Sequence, residues 1–159
     1  FPPAKRQAAS GGERPTPLEI GATVMIKLIV GSKGSGKTKT LISMCNDAVK
    51  NTDGCVVCIE KAMSLQFSIV PQVRLIHADA YSISGYDEFY GFISGVLAGN
   101  YDIKDIFVDG ILRIGNRDLD GLGVLLDRIQ ALVKDEVTVV VTVSTDVENL
   151  PASVSKYLD

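Results

Sequence analysis

The residues Gly31-Ser32-Lys33-Gly34-Ser35-Gly36-Lys37-Thr38 have the spacing G-x-x-x-x-G-K-[S/T]. That spacing suits a polyphosphate anion. The glycines let the backbone curl until successive N–H groups point inward. A helix starting near Gly36 adds the positive end of its dipole. Lys37 supplies a point charge for the β- and γ-phosphates, and Thr38 supplies a hydroxyl for Mg²⁺. The plain alternative is a glycine-rich turn that holds nothing. The flanks weigh against it, because an apolar run precedes the loop and an amphipathic run follows it.

A second candidate is Asp109, which closes the apolar run Ile106-Phe107-Val108. Parallel strands carry such ends to the same sheet edge as the phosphate loop, where a carboxylate holds Mg²⁺, usually through its water shell. An apolar strand ending in Asp at a turn is common, so the preceding loop gives this residue its weight. Cys55 and Cys58 form a C-x-x-C inside an apolar, strand-like run. Positions three apart on a strand face opposite ways, and the second ligand pair that zinc usually takes is missing. A metal or redox role is therefore not expected there.

These residues need elements to position them. Met25–Val30 reads as a buried strand bounded by Gly31. Thr38, Leu41, Ile42, Cys45, Ala48 and Val49 line one helical face that ends around Asn51 to Gly54. Cys55–Glu60 is a second strand and Val73–Ala78 a third, with a looser segment containing Pro71 before it. Tyr86, Phe89, Tyr90, Ile93, Val96 and Leu97 form a second helical face. Ser84 and Asp87 fit a capping box at its start, and Gly99-Asn100 stop it. The three aromatics are read as core rather than as a base stack. Ile106–Val108 is a strand, Leu119–Val133 a helix and Val137–Val143 a last β-branched strand. This alternation predicts an α/β fold: a mostly parallel five-stranded sheet between helices on both faces, a three-layer sandwich.

Composition sets the outer limits. The 159 residues carry a formal net charge of −3 with 46% apolar and 22% charged residues, an ordinary globular balance for one domain. An acidic chain has no global basic field, so nucleic acid is not indicated as a partner. No apolar run approaches the ~18 residues of a membrane span. Three cysteines make no disulfide framework, which points to a reducing, cytoplasmic setting. Residues 1–24, with Pro2-Pro3, Gly11-Gly12 and Pro15-Thr16-Pro17, have neither period and read as a disordered or loosely docked tail, a leader or an upstream extension. The domain is expected to span residues 25–159.

From Met25 onward the chain resembles the P-loop NTPases, with Gly31–Thr38 matching their Walker A motif and Asp109 their Walker B aspartate. It resembles the RecA-like branch more than GTPases or nucleoside kinases. In that branch a catalytic glutamate often ends the second strand, as Glu60 does here, and a small residue such as Gly110 often follows the Walker B aspartate. The branch inserts a strand between the Walker strands and carries a polar sensor at its tip; Val137–Val143 with Ser144-Thr145-Asp146 fits. The resemblance therefore implies a strand order 1-5-4 with strands 2 and 3 beyond, Glu60 orienting water, and Ser144 or Thr145 on the γ-phosphate or the water. The chain also resembles small single-domain bacterial ATP-binding proteins sometimes labelled PilT-like, although it has one histidine, His77, where secretion motors carry histidine-rich boxes.

Lys33 stands third in the loop, whereas ParA/MinD-like ATPases carry their signature lysine second, where Ser32 stands. It is read as a phosphate-adjacent or exposed charge. No N-K-x-D sequence is present for reading guanine, which favours ATP. Arg113 and Arg117 follow the Walker B strand, as arginine fingers for this or a neighbouring subunit or as ordinary exposed arginines. His77 is read as structural or solvent-facing. The resemblance implies ATP and Mg²⁺ as ligands and a Mg²⁺-dependent ATPase or ATP-driven switch. A kinase, with Lys61–Val73 as its only lid-length loop, and a non-hydrolysing ATP-binding module remain alternatives. The Walker A strand would lie near a sheet edge, so a homo-oligomer, a larger partner, the tail or the Leu150–Asp159 segment is expected to cover it.

Overall fold

A computed structural model describes residues 24–158. The reading of residues 1–24 as a tail lies outside the described residues, apart from Val24. Five strands alternate with helices: β1 (Ile26–Gly31), α1 (Lys37–Asn51), β2 (Cys55–Glu60), β3 (Arg74–His77), α2 (Tyr86–Gly99), β4 (Ile103–Asp109), α3 (Ile111–Ile114), α4 (Leu119–Val133), β5 (Thr138–Ser144) and α5 (Ala152–Ser155). They form one sheet of order β1-β5-β4-β2-β3 in which every paired strand is parallel. This is the expected order, with β5 between the two motif-bearing strands and β1 at an edge.

The strands read as continuous apolar runs because both faces of the sheet are covered. Val57, Ile59, Ile106, Val108, Val139 and Val141 face α2 and α4, where Phe89, Ile93, Leu122 and Leu126 close the larger core. Val56, Cys58, Phe107 and Val140 face α1 through Leu41 and Cys45. Leu65, Ile69 and Val73 of the β2–β3 connection seal that side. Asn46 of α1 ties the connection down, donating to Ser68 O at 3.0 Å and accepting from Val70 N at 3.0 Å.

Cys55 is exposed and Cys58 buried, as opposite faces require. Hydrogen bonding with Cys45 and burial hold the Cys58 thiol far above its ordinary pKa, so it stays protonated and inert. Phe89 is fully buried, while Tyr86 and Tyr90 are half-buried against the same core.

Some boundaries differ from the sequence reading. The N-cap of α2 is Gly85 at φ 85°, with no side-chain cap. Glu88, not Asp87, reaches back to accept from Ser84 N at 2.7 Å. A positive φ costs glycine little, so the chain turns at Gly85 and the helix starts beyond it. The third strand is shorter than expected, Arg74–His77, and Ala78, its expected last residue, opens the 3₁₀ turn Ala78–Tyr81. β4 starts at Ile103, earlier than its apolar stretch suggests, because Lys104 and Asp105 lie near the sheet's far end. Near the C-terminus, α5 packs Val154 against the core, and Tyr157 just beyond it donates its Oη to Asp127 on α4 at 2.5 Å.

Candidate nucleotide site

The strands' C-terminal ends share one edge, and the loop after β1 curls there. Gly31 admits no side chain, because a Cβ would run into Ser35 Oγ where the loop folds back. Gly34 at φ 84° and Gly36 at φ 90° make the curl, and Gly36 is the N-cap of α1. The loop therefore ends on the N-terminus of a 15-residue helix, with its backbone donors and positive dipole end. Lys37 is 8% exposed, and its ammonium donates to Ser32 O at 2.8 Å and Ser35 Oγ at 3.4 Å. Both acceptors are neutral, so the charge is hydrogen-bonded but not neutralised.

Asp109 enters from β4. Its Oδ1 accepts from Thr142 Oγ1 at 2.7 Å and lies 3.5 Å from Thr38 Oγ1. A hydroxyl and a carboxylate oxygen thus converge beside the anion cradle. This hard-oxygen pair fits Mg²⁺, which takes one or two protein ligands and completes its shell with phosphate oxygens and water.

The loop, β4 and β5 surround an open cleft of about 560 Å³. Lys33, Gly34, Gly36, Lys37 and Thr38 line one side. Asp109 and Gly110 line the floor with Thr142 and Ser144 of β5. Ser144 reaches the cleft because it is in register with Gly31. Thr145 does not line it, but forms an isolated bridge with Gly31. Arg113 and Arg117, on and just after α3, close the remaining side.

The fold can be identified from this arrangement together with the sheet order. It is a RecA-like P-loop NTPase fold. No family model matches the chain, and no curated protein matches its sequence. Among solved structures, flagellar accessory protein FlaH from Methanocaldococcus jannaschii aligns with a TM-score of 0.54 at 18% identity, over 88% of this chain and 70% of that one. The pCW3 conjugation coupling protein TcpA, in its monomer form with ATPγS, aligns at 0.43 and 13% identity over 84% of this chain and 47% of its own. At 18% identity the likeness to FlaH extends to the fold alone, and it does not bear on the resemblance to PilT-like proteins.

Glu60 occupies the P-loop fold's second strand end, but it is neither a surface residue nor part of the cleft lining. Its side chain is fully buried. Oε1 accepts from Ser64 N at 2.7 Å and Ser64 Oγ at 3.0 Å, and Oε2 from Leu65 N at 3.1 Å. His77 Nδ1 lies 3.3 Å from Oε2 and 3.2 Å from Ala62 O. Both neighbours are acceptors, so that nitrogen carries a proton. Glu60 is in register with Asp109 on one side and His77 on the other. The three residues form a polar row across the sheet edge. Asp109 faces the loop and Glu60 faces the chain that follows β2.

Thr142 was not singled out by sequence reasoning. It is 2% exposed and accepts from Gly110 N at 3.3 Å while donating to Asp109. Its one sequence signal is a hydroxyl in a valine run, and its use depends on register, one position beyond the Val108–Val141 pair. Thr142→Val keeps the shape and removes that link. Two effects are expected: about 1–2 kcal/mol of lost stability in urea unfolding, from the orphaned Gly110 N–H, and a rise of about tenfold in the Mg²⁺ needed for nucleotide binding. Unchanged Mg²⁺ dependence would show that Asp109 needs no orienting hydroxyl.

Proposed function

We propose that the chain binds ATP in this cleft and hydrolyses it with Mg²⁺, as an ATPase or ATP-driven switch acting on a partner. The observation that carries this is the meeting of Lys37, Thr38 and Asp109 at the N-terminus of α1. The loop N–H groups and Lys37 hold the β- and γ-phosphates. Thr38 and Asp109 hold Mg²⁺, which when bound neutralises charge between the phosphates. Ser144, which lines the cleft, is the proposed hydrogen-bond partner of the γ-phosphate or the attacking water. Glu60 is the group proposed to orient that water, which requires its buried carboxylate to turn from Ser64 and Leu65 into the cleft. Lys33 is an additional cation at the mouth.

A non-hydrolysing ATP-binding module is the second reading, favoured by the engagement of Glu60 with Ser64 and Leu65. A kinase has less support. Leu65, Ile69 and Val73 anchor the otherwise largely exposed Lys61–Val73 segment, the stretch a kinase would use as a lid, in the core on the α1 side. No described helix is long and apolar enough to cross a membrane. β1 at the sheet edge is the proposed place for a second copy or a larger partner.

The deciding experiment uses the full chain with ATP or GTP, with Mg²⁺ or EDTA, and reads binding, phosphate release and light scattering together. Saturable ATP binding, preference for ATP over GTP and Mg²⁺-dependent phosphate release are expected, with association increased by ATP. Tight binding without phosphate release moves the assignment to the module. No binding of either nucleotide overturns the reading.

A further inference from the structure

Two guanidinium groups face the cleft from a part of the chain that the sequence motifs leave unassigned. Arg113 is the one exposed residue of α3; Ile111, Leu112 and Ile114 are 1%, 5% and 1% exposed. α3 is thus a buried plug that leaves a single side chain free. Gly110 opens it at φ 86°. A Cβ at Gly110 would sit 3.0 Å from Arg113 Nη2, so the guanidinium lies folded over Gly110, next to Asp109. Glycine at 110 therefore serves both the turn and the approach of the arginine.

Arg117 reaches the same cleft by a strained route. Asn116 and Arg117 take consecutive left-handed conformations, φ 56° and 61°. Such conformations are uncommon for residues with a side chain and persist where surrounding contacts impose them. Those contacts are present. Arg117 N donates to Leu112 O at 2.7 Å, Gly85 N to Ile114 O at 2.7 Å, and Tyr86 Oη to Asp118 O at 2.7 Å. Among the described residues neither guanidinium has an ion-pair or hydrogen-bond partner. Two unpaired planar cations in the same cleft as the phosphate loop fit the oxygens of a terminal phosphate.

We infer that Arg113 and Arg117 are catalytic residues acting in cis: they contact the γ-phosphate of the nucleotide held by their own chain. This rests on the nucleotide-site reading above and adds to it that no arginine from a second subunit is needed. The guanidinium pair answers the charge that distinguishes ATP from ADP and the charge that spreads over the γ-phosphoryl oxygens in the transition state. The β-phosphate stays with Lys37 and the loop. Removing the arginines should therefore weaken ATP and spare ADP.

The test measures ATP and ADP affinity and phosphate release for the full chain and for Arg113→Ala, Arg117→Ala and the double variant. Both side chains are exposed, so the variants should melt like the parent. The expected result is ADP affinity unchanged within about twofold, ATP affinity down about tenfold per arginine, and turnover down at least about a hundredfold in the double variant. Mixing Lys37→Ala chains with the double variant should restore no turnover, because a good loop and good arginines then never share a chain. Restoration on mixing, or an unchanged ATP-to-ADP affinity ratio in the double variant, overturns the inference while leaving the nucleotide site standing. Failure of the parent chain to bind either nucleotide overturns both.

Discussion

Lys37→Ala should weaken nucleotide binding severely and stop turnover while leaving the fold intact. The ammonium is nearly buried and touches only Ser32 O and Ser35 Oγ, two neutral acceptors. Such a cation is held ready for an anion. Truncating one partner of a hydrogen-bonded charge pair in a protected site costs about 2–5 kcal/mol. At ~1.4 kcal/mol per decade that is roughly 30- to 3,000-fold in affinity. The folded chain loses little, because alanine is the best helix former and position 37 opens α1. The readout is thermal. A ligand at 100 times its Kd stabilises the parent by ~2.7 kcal/mol, so ATP should raise its Tm by several degrees. The free variant should melt like the free parent, and at the same ATP concentration its rise should be at most about a third of the parent's. An ATP-induced rise equal to the parent's would mean that the loop is not the phosphate site.

What the sequence made legible follows from physical range. The loop and α1 could be read because their geometry is local: glycines at fixed offsets, then an apolar face at helical period. The long helices and the buried strands were readable for the same reason, and β5 between β1 and β4 followed from the resemblance. α3 was not legible, because four residues are little more than one helical turn and show no period. Without α3, nothing decided between arginine fingers and ordinary helix-flanking charges for Arg113 and Arg117. Thr142 was hidden differently. Its partner is 33 residues away, and only the register of β4 on β5 brings the two together. Glu60 was visible as a strand end, but its capture by Ser64 and Leu65 depends on the path of the chain after β2.

That capture sets the largest expected stability effect and gives Glu60 two separable roles. Glu60→Ala removes the acceptor for Ser64 N and Leu65 N together. Each buried donor left unpaired costs about 1–3 kcal/mol, so a loss of about 3–5 kcal/mol is expected in urea unfolding. Glu60→Gln keeps one carbonyl oxygen for those N–H groups. Its amide NH₂ must then face His77 Nδ1, which can accept if the imidazole proton moves to Nε2. A smaller loss, about 1–2 kcal/mol, should follow. Chemistry separates the roles. A carboxylate that orients the attacking water contributes about 10²- to 10⁴-fold, and glutamine lacks its basicity. Glu60→Gln should therefore bind ATP like the parent and lose at least about a hundredfold in phosphate release. Register puts Glu60 beside Asp109 at the ends of paired strands, so this role requires the buried carboxylate to leave Ser64 and Leu65 when nucleotide binds. If Glu60→Gln is destabilised yet releases phosphate at the parent's rate, the carboxylate serves only to fasten the chain after β2, and the water is oriented by another group at the cleft, with Ser144 next in line.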